Sequence, residues 1–485
     1  MLTSGMLSEL LCSLAVIGGL LMLGAFLRAK VGIFQKLFLP ASVIGGFIGL
    51  LLGPIVLGEH AVFKFSAAYI NNWSLLPGIL IVPIFASVPL GMFMDTGAPK
   101  VKAEKKSGAG LFKVLVAFAM FAAVSSIQSV IGFGTNVAFT RAGYDLYRTF
   151  GYELSQGFVG GHGTAGAVGR IMEDLGLAWW QTAQGVATTT ATIGIVIGML
   201  AGIIFINIAA RKGKTTVLKS AGDIPRQMAK GTITDFKAQP SLGRDTFVNS
   251  SIETISFHLS LMLGACGIAY WIMAKLSATG ISAFSSLPVW IYAMVVMFAI
   301  NRLLILFKLD WAVDSRVRSK ISGAMSDFAI TAAIASLPVQ AVMEYFLPIV
   351  VMCAIGFVVT YLFIFVVQGF LYKGDHPFER SIIAWGCATG VMITGMMLLK
   401  ICDPDYETPA LADFSMGFSL LSLSGLITTP LTISFLASRS TFDNMMLAVV
   451  IGAVFLVMAL VCAGLAKKRE SRHDTHTAAA AVTAD

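Results

Sequence analysis

The chain has 485 residues, of which 56% are hydrophobic and only 12% charged. Soluble domains carry about 25% charged residues, and so few polar side chains cannot cover this much apolar surface in water. Disorder, nucleic-acid binding as the main role and most soluble enzymes are thereby excluded, and the formal net charge of +8 is expected to be loop charge at a membrane face.

A helix needs roughly 20 apolar residues to cross a bilayer. In the first half of the chain such runs occur at about 6–27, 38–58, 73–95, 110–138 and 179–210. A second set lies at about 253–278, 286–308, 322–343, 347–372 and 411–436, and a final run covers 443–465. Two further apolar stretches, 156–171 and 382–399, are too short and glycine-rich to cross, and are expected to be re-entrant loops. The first run has no basic segment before it, and Arg28 and Lys30 follow it. It therefore reads as a first span, not as a cleaved leader.

The basic segment 211–252, with Pro225 and Pro240, reads as a cytoplasmic linker, and 467–485 as a disordered cytoplasmic tail. With the N-terminus outside and eleven crossings, all 34 lysines and arginines fall inside except Lys64, Arg141, Arg148, Arg170, Lys275 and Arg439. That asymmetry is what the positive-inside rule requires. Six scattered cysteines contain no CxxC pair, so neither a disulfide framework nor a zinc site is expected.

The two halves share marks in the same order. Leu39-Pro40 opens the second span and Leu287-Pro288 the seventh. Ala86-Ser87-Val88-Pro89 matches Ala335-Ser336-Leu337-Pro338, and Gly161-His162-Gly163-Thr164 matches Gly386-Cys387-Ala388-Thr389. Five crossings per half is an odd number, so the second copy is inverted. The expected fold is all-α and polytopic: a first repeat over 1–210, the linker, a second repeat over 253–436, an extra helix over 437–466 and the tail. Inverted repeats with broken helices are a mark of secondary transporters.

Gly160, Gly161, Gly163 and Gly166 make a poor continuous helix. Unwound backbone survives in a membrane only where it lines a cavity or is buried in protein. There it offers carbonyls to a cation and N–H groups to a carboxylate. Close helix packing is the competing explanation. Thr164 adds a hydroxyl, and His162 lacks clustered partners for a metal, so hydrogen bonding or substrate contact is expected of it.

Thr188 and Thr192 share one helix face. They could offer hard oxygens to an alkali cation or bond to their own preceding turn. Gly386, Thr389 and Gly390 form the second tip, and Asp413 and Ser415 lie early in the tenth span. Intramembrane ionisable residues are functional candidates by default. Ser87 and Ser336 sit beside helix-breaking prolines at matching positions, whereas Gly194, Gly198 and Gly202 read as a close-packing seam.

Gly160-Gly161-His162-Gly163-Thr164 resembles the re-entrant glycine motif of the bacterial sodium/glutamate symporter family. Ala191-Thr192-Ile193-Gly194 resembles its Ala-Thr-x-Gly, and Ala388-Thr389 the Ala-Thr of its second re-entrant loop. The resemblance covers about 10–440. The second loop lacks the family's fuller glycine run, and the eleventh span and long basic linker are additions. The resemblance implies sodium-coupled uptake of glutamate through inverted five-helix repeats with paired re-entrant loops, and the leading reading is a carrier of glutamate or a related small anionic amino acid or carboxylate. From the residues themselves, Thr164, Thr192 and Thr389, with carbonyls around Gly161 and Gly163, are expected to supply sodium or substrate oxygens. The resemblance further implies a homodimer in a bacterial inner membrane and no enzymatic cofactor. A membrane subunit of a sodium-pumping decarboxylase, a carrier for another carboxylate and a passive channel are the alternatives. No biotin-carrier segment or nucleotide-binding Gly-x4-Gly-Lys motif is found in the chain.

Overall fold

The computed structural model describes residues 3–36, 39–91, 94, 109–216, 230–248, 250–278, 289–403 and 407–482. Within them the chain is helical, with no strand. The principal helices are α1 (Ser4–Lys30), α2 (Ala41–Leu52), α3 (Ala67–Ser87), α4 (Ala109–Arg141), α5 (Tyr152–Asp174), α6 (Trp180–Arg211) and α7 (Thr254–Ser277). They continue with α8 (Val289–Leu306), α9 (Ser315–Ala335), α10 (Phe346–Tyr361), α11 (Pro377–Ala388), α12 (Met392–Cys402), α13 (Ala410–Ser438) and α14 (Thr441–Val482).

Nine helices among the described residues are long and apolar enough to cross a membrane. There are ten if Ala410–Gly425 and Ile427–Ser438, bent by 46°, form one span. Eleven were expected. The one that does not qualify is α9, whose first half carries Arg316, Arg318 and Lys320, followed by Asp327. It ends at Ala335, where Pro338 interrupts the chain before the short helix Val339–Glu344.

Local chemistry moves other boundaries too. α3 starts at 67 because the Ser66 side chain accepts from the Tyr69 N–H, and it stops at Ser87 ahead of Pro89. α14 runs past its expected span to Val482, through an alanine run that favours helix. Leu287-Pro288, the cations from Lys100 to Lys106, linker residues 217–229 with Pro225, Pro404–Tyr406 and 483–485 lie outside the described residues.

The chain divides into two compact units, and each draws on both halves of the sequence. The first comprises 1–99, 161–192 and 224–346. Its core gathers Ile17 and Leu20 of α1, Trp73 and Leu76 of α3, and Ala332 and Ala335 of α9. The second comprises 100–160, 193–223 and 347–485. There α14 packs along α4, with Met120, Phe118, Ala459 and Ala463 at the seam and Leu371 and Tyr372 beside it. The outer faces stay apolar: Met22, Trp271, Val358 and Val454 are all exposed. Large exposed apolar side chains on spanning helices belong against lipid, not water.

Candidate functional site

In the first unit the glycine motif breaks its helix. Gly161 takes φ 60° and ψ −152°, a backbone state that essentially only glycine adopts, and helix resumes after it. Thr164 Oγ1 donates to the Gly161 carbonyl at 3.1 Å, fixing the turn that follows the break. His162 is buried, and its Nε2 lies 3.0 Å from Thr192 Oγ1. Thr192 already gives its hydroxyl proton to the Thr188 carbonyl at 2.9 Å. With that proton on the Thr188 carbonyl, Nε2 is the donor to Thr192, the assignment that leaves every group in the chain paired. Thr188 in turn donates to the Gln184 carbonyl, and the Gln184 amide donates to the Ser74 carbonyl.

The unit thus joins His162, Thr192, Thr188 and Gln184 into one neutral polar chain linked to α3, with the Thr164–Gly161 bond a local one at the break beside it. The threonine protons go to carbonyls three or four residues back, as the alternative reading of this face anticipated. Their oxygens keep lone pairs. Among the described residues no group of three His, Cys, Asp or Glu side chains could hold a metal.

A cavity of about 300 Å³ opens in the same unit, lined by Asn71, Ser74, Gln181, Gln184 and Ser336 among others. Ser336 donates to Ala332 O from its rim. Ser87 does not line it. The Ser87 hydroxyl bonds to Ile84 O, and its own carbonyl, with those of Val88 and Leu90, faces Arg318 Nη1 at 3.4, 3.1 and 2.7 Å. The two serines match in sequence but differ in setting. The sequence reading did not single out Arg318 or Gln184. Arg318 sits a short way into α9, where a long cation on a helix can reach a carbonyl end.

The second unit holds Gly160 and the other tip. α11 ends at Ala388, and Thr389, 1% exposed, donates to the Trp385 carbonyl at 2.9 Å. α12 starts at Met392 and packs back on α11: a methyl on Gly386 would sit 2.6 Å from Gly395 Cα. Gly390 is as tight, since a methyl there would lie 2.5 Å from Thr394 Oγ1. Trp385 Nε1 donates to Gly198 O at 2.8 Å. A methyl on Gly194 would lie 2.5 Å from Thr389 O, and one on Gly198 would overlap Thr389 Oγ1. The expected glycine seam is therefore the bed on which the tip rests. Gln128 of α4 also reaches the tip, with Nε2 donating to Ala388 O at 2.9 Å and Thr360 Oγ1 at 3.0 Å.

Asp413 is not an open carboxylate. It pairs with Arg380 at 2.8 Å, Arg380 pairs with Asp375 at 2.9 Å, and Asp375 with Lys113 at 2.9 Å. The Arg380 guanidinium lies 4.5 Å above the Tyr372 ring. Burial opposes ionisation of Asp375, but Arg380 and Lys113 outweigh it and hold the carboxyl below its usual value. The network fixes the start of α11 to α13. Ser415, half-buried two residues along, accepts from Ser419 through its carbonyl.

No curated protein matches the chain. The sequence profile of the sodium/glutamate symporter family matches residues 7–388, from the first spanning helix to the last residue of α11. An all-helical membrane protein with a glycine-broken helix beside neutral oxygens, matched over most of its length, belongs to the sodium/glutamate symporter family: it is a transporter coupling glutamate to sodium, not an enzyme.

Proposed function

We propose that the protein moves glutamate, or a closely related small anionic amino acid or carboxylate, with sodium by alternating access in a bacterial inner membrane. In this reading the N-terminus is outside, the C-terminus cytoplasmic, the halves are inverted repeats and the unit of assembly is a homodimer. The observation that carries the site is the break at Gly161, with His162, Thr192 and Thr188 joined beside it. A cation leaving water needs replacement oxygens, and neutral ones hold it without trapping it. Each threonine hydroxyl has spent its proton on a carbonyl, so what it presents is lone pairs. The substrate carboxylate would take free N–H groups at the broken helix end.

Uptake into proteoliposomes tests this. Thr192→Val keeps the shape and removes the oxygen on which His162 rests. It should raise the sodium concentration for half-maximal glutamate uptake, and Thr164→Val should do the same. Unchanged sodium and glutamate dependence in both, at normal expression, would remove these threonines from the site. Sodium-independent uptake by the unaltered protein would count against the coupling itself.

A further inference from the structure

Gln128 lies in a spanning helix and is fully buried; its amide nitrogen holds the tip, but its amide oxygen has no part in anything described so far. Its orientation is fixed by chemistry. The Ala388 carbonyl can only accept, so the amide nitrogen must face it, and flipping the amide would set two carbonyl oxygens together. Nε2 spends its two protons on Ala388 O and Thr360 Oγ1. Oε1 is then held rigidly on the other arm of the amide, buried and without a hydrogen-bond partner among the described residues. Buried acceptors are almost always satisfied; Oε1 is one of seven buried side-chain atoms without a partner among the described residues, and it is the one held beside the last carbonyl of α11. Ala388 is the last residue of α11, where the negative end of the helix dipole lies. Carbonyl ends of broken helices are where secondary transporters bind their cations.

We propose that Gln128 Oε1 is a ligand for one dehydrated monovalent cation, sodium, at the carbonyl end of α11, and that Thr360 and Ala388 preorganise it by fixing the amide. The proposal rests on the sodium-coupled reading but assigns residues outside the threonine set. The amide oxygen is a hard, neutral donor of the type that suits an alkali cation. Among the described residues no Lys or Arg hydrogen-bonds this oxygen, and a neutral site lets the ion leave.

The test uses the full-length protein in lipid nanodiscs without substrate, titrated with sodium chloride against choline chloride at constant ionic strength. Sodium should raise the thermal unfolding temperature of the unaltered protein, since a ligand bound only by the folded state stabilises it. Gln128→Met, close in shape but without the oxygen, should lose that sodium-dependent rise. In proteoliposomes it should raise half-saturating sodium roughly tenfold, as loss of one charge-bearing contact implies. Thr360→Val leaves Oε1 in place but frees the amide, and should raise half-saturating sodium less, with glutamate KM at saturating sodium unchanged. It keeps the idea testable if Gln128→Met does not fold. A sodium-dependent rise as large in both variants as in the unaltered protein would overturn the proposal and give the oxygen to water. If the unaltered protein is stabilised by sodium yet takes up no glutamate, the substrate reading fails and this one stands.

Discussion

Gly198→Ala is the sharpest perturbation of the second tip. The added methyl would lie 2.7 Å from Thr389 Cβ and overlap its hydroxyl oxygen. Carbon atoms rest at about 3.5–4.0 Å, so one side must retreat by roughly 1 Å. Thr389 is tied to Trp385 O, and Trp385 is tied back to Gly198 O, so the strain stays local to the tip. Overpacking of this kind costs about 1–3 kcal/mol, whereas glycine-to-alanine in a helix returns about 0.5–1 kcal/mol. The clash wins, and if the tip binds as proposed, a displacement of about 1 Å there weighs more on transport than on folding. The control is Gly264→Ala in α7, where nothing lies within 4 Å of the new methyl. The expectation is a fall in sodium-driven glutamate uptake of at least roughly tenfold for Gly198→Ala, with a modest drop in thermal stability. Gly264→Ala should match the unaltered protein in uptake and equal or slightly exceed it in thermal stability. Uptake and stability both at the control level in Gly198→Ala would refute the tight bed for the tip.

Arg380→Ala strips Asp413 and Asp375 of their buried cation and should destabilise by about 3–5 kcal/mol, seen as a lower unfolding temperature; Asp413→Asn should cost less. Asp375 is held below its usual value, so its contribution is complete above the unfolded carboxylate pKa and is lost as pH falls through the folded one. Unfolding midpoints followed from about pH 6 to pH 3 should therefore drop on the acid side, and Asp375→Asn should flatten that limb. Gly161→Ala, placed at φ 60° and ψ −152°, should cost of order 1–3 kcal/mol or close the break, and either outcome should abolish uptake.

Spans and tips were legible because hydropathy and glycine spacing report directly on bilayer length and backbone freedom. Residues 156–171 fall in a helix broken at Gly161, and 382–399 fall in two helices joined at 389–391. α9 was read over 322–343 as an apolar run, yet helix starts at Ser315 under the Asp314 cap and takes in three cations. Side-chain partners were less legible. Asp413 stood out as an intramembrane carboxylate, but its Arg380 partner is 33 residues away and only the fold brings them together. Ser87 and Ser336 share a motif while their surroundings differ. Gln128 was passed over because an uncharged amide in an apolar helix leaves no mark in charge or periodicity. Its signal is the cost of burying an amide without full partners, which needs coordinates to see.

Charge and neutrality have separate tasks in this chain. Arg318 covers three carbonyls at the end of α3, and Arg148 covers those of Ala437 and Arg439 at the end of α13. Arg380 bridges two carboxylates at the start of α11. Fixed cations at carbonyl ends neutralise the helix dipole and hold interrupted helices in place. The tips carry none of these cations: His162, Thr192, Thr389 and Gln128 bond only to hydroxyls and carbonyls in the contacts above. A permanent arginine at a tip would occupy the place of a mobile cation, and a permanent carboxylate would hold that cation too long. Moving a fixed charge to a tip should therefore stop turnover, and at a site as buried and tightly packed as Thr389 it should also lower folding stability, so the readout is the sodium-dependent part of the unfolding temperature. Thr389→Lys is the direct case: a tethered ammonium at the carbonyl end of α11 should abolish the sodium-dependent rise in unfolding temperature and stop uptake. Sodium stabilisation that survives in Thr389→Lys would show that the cation binds elsewhere.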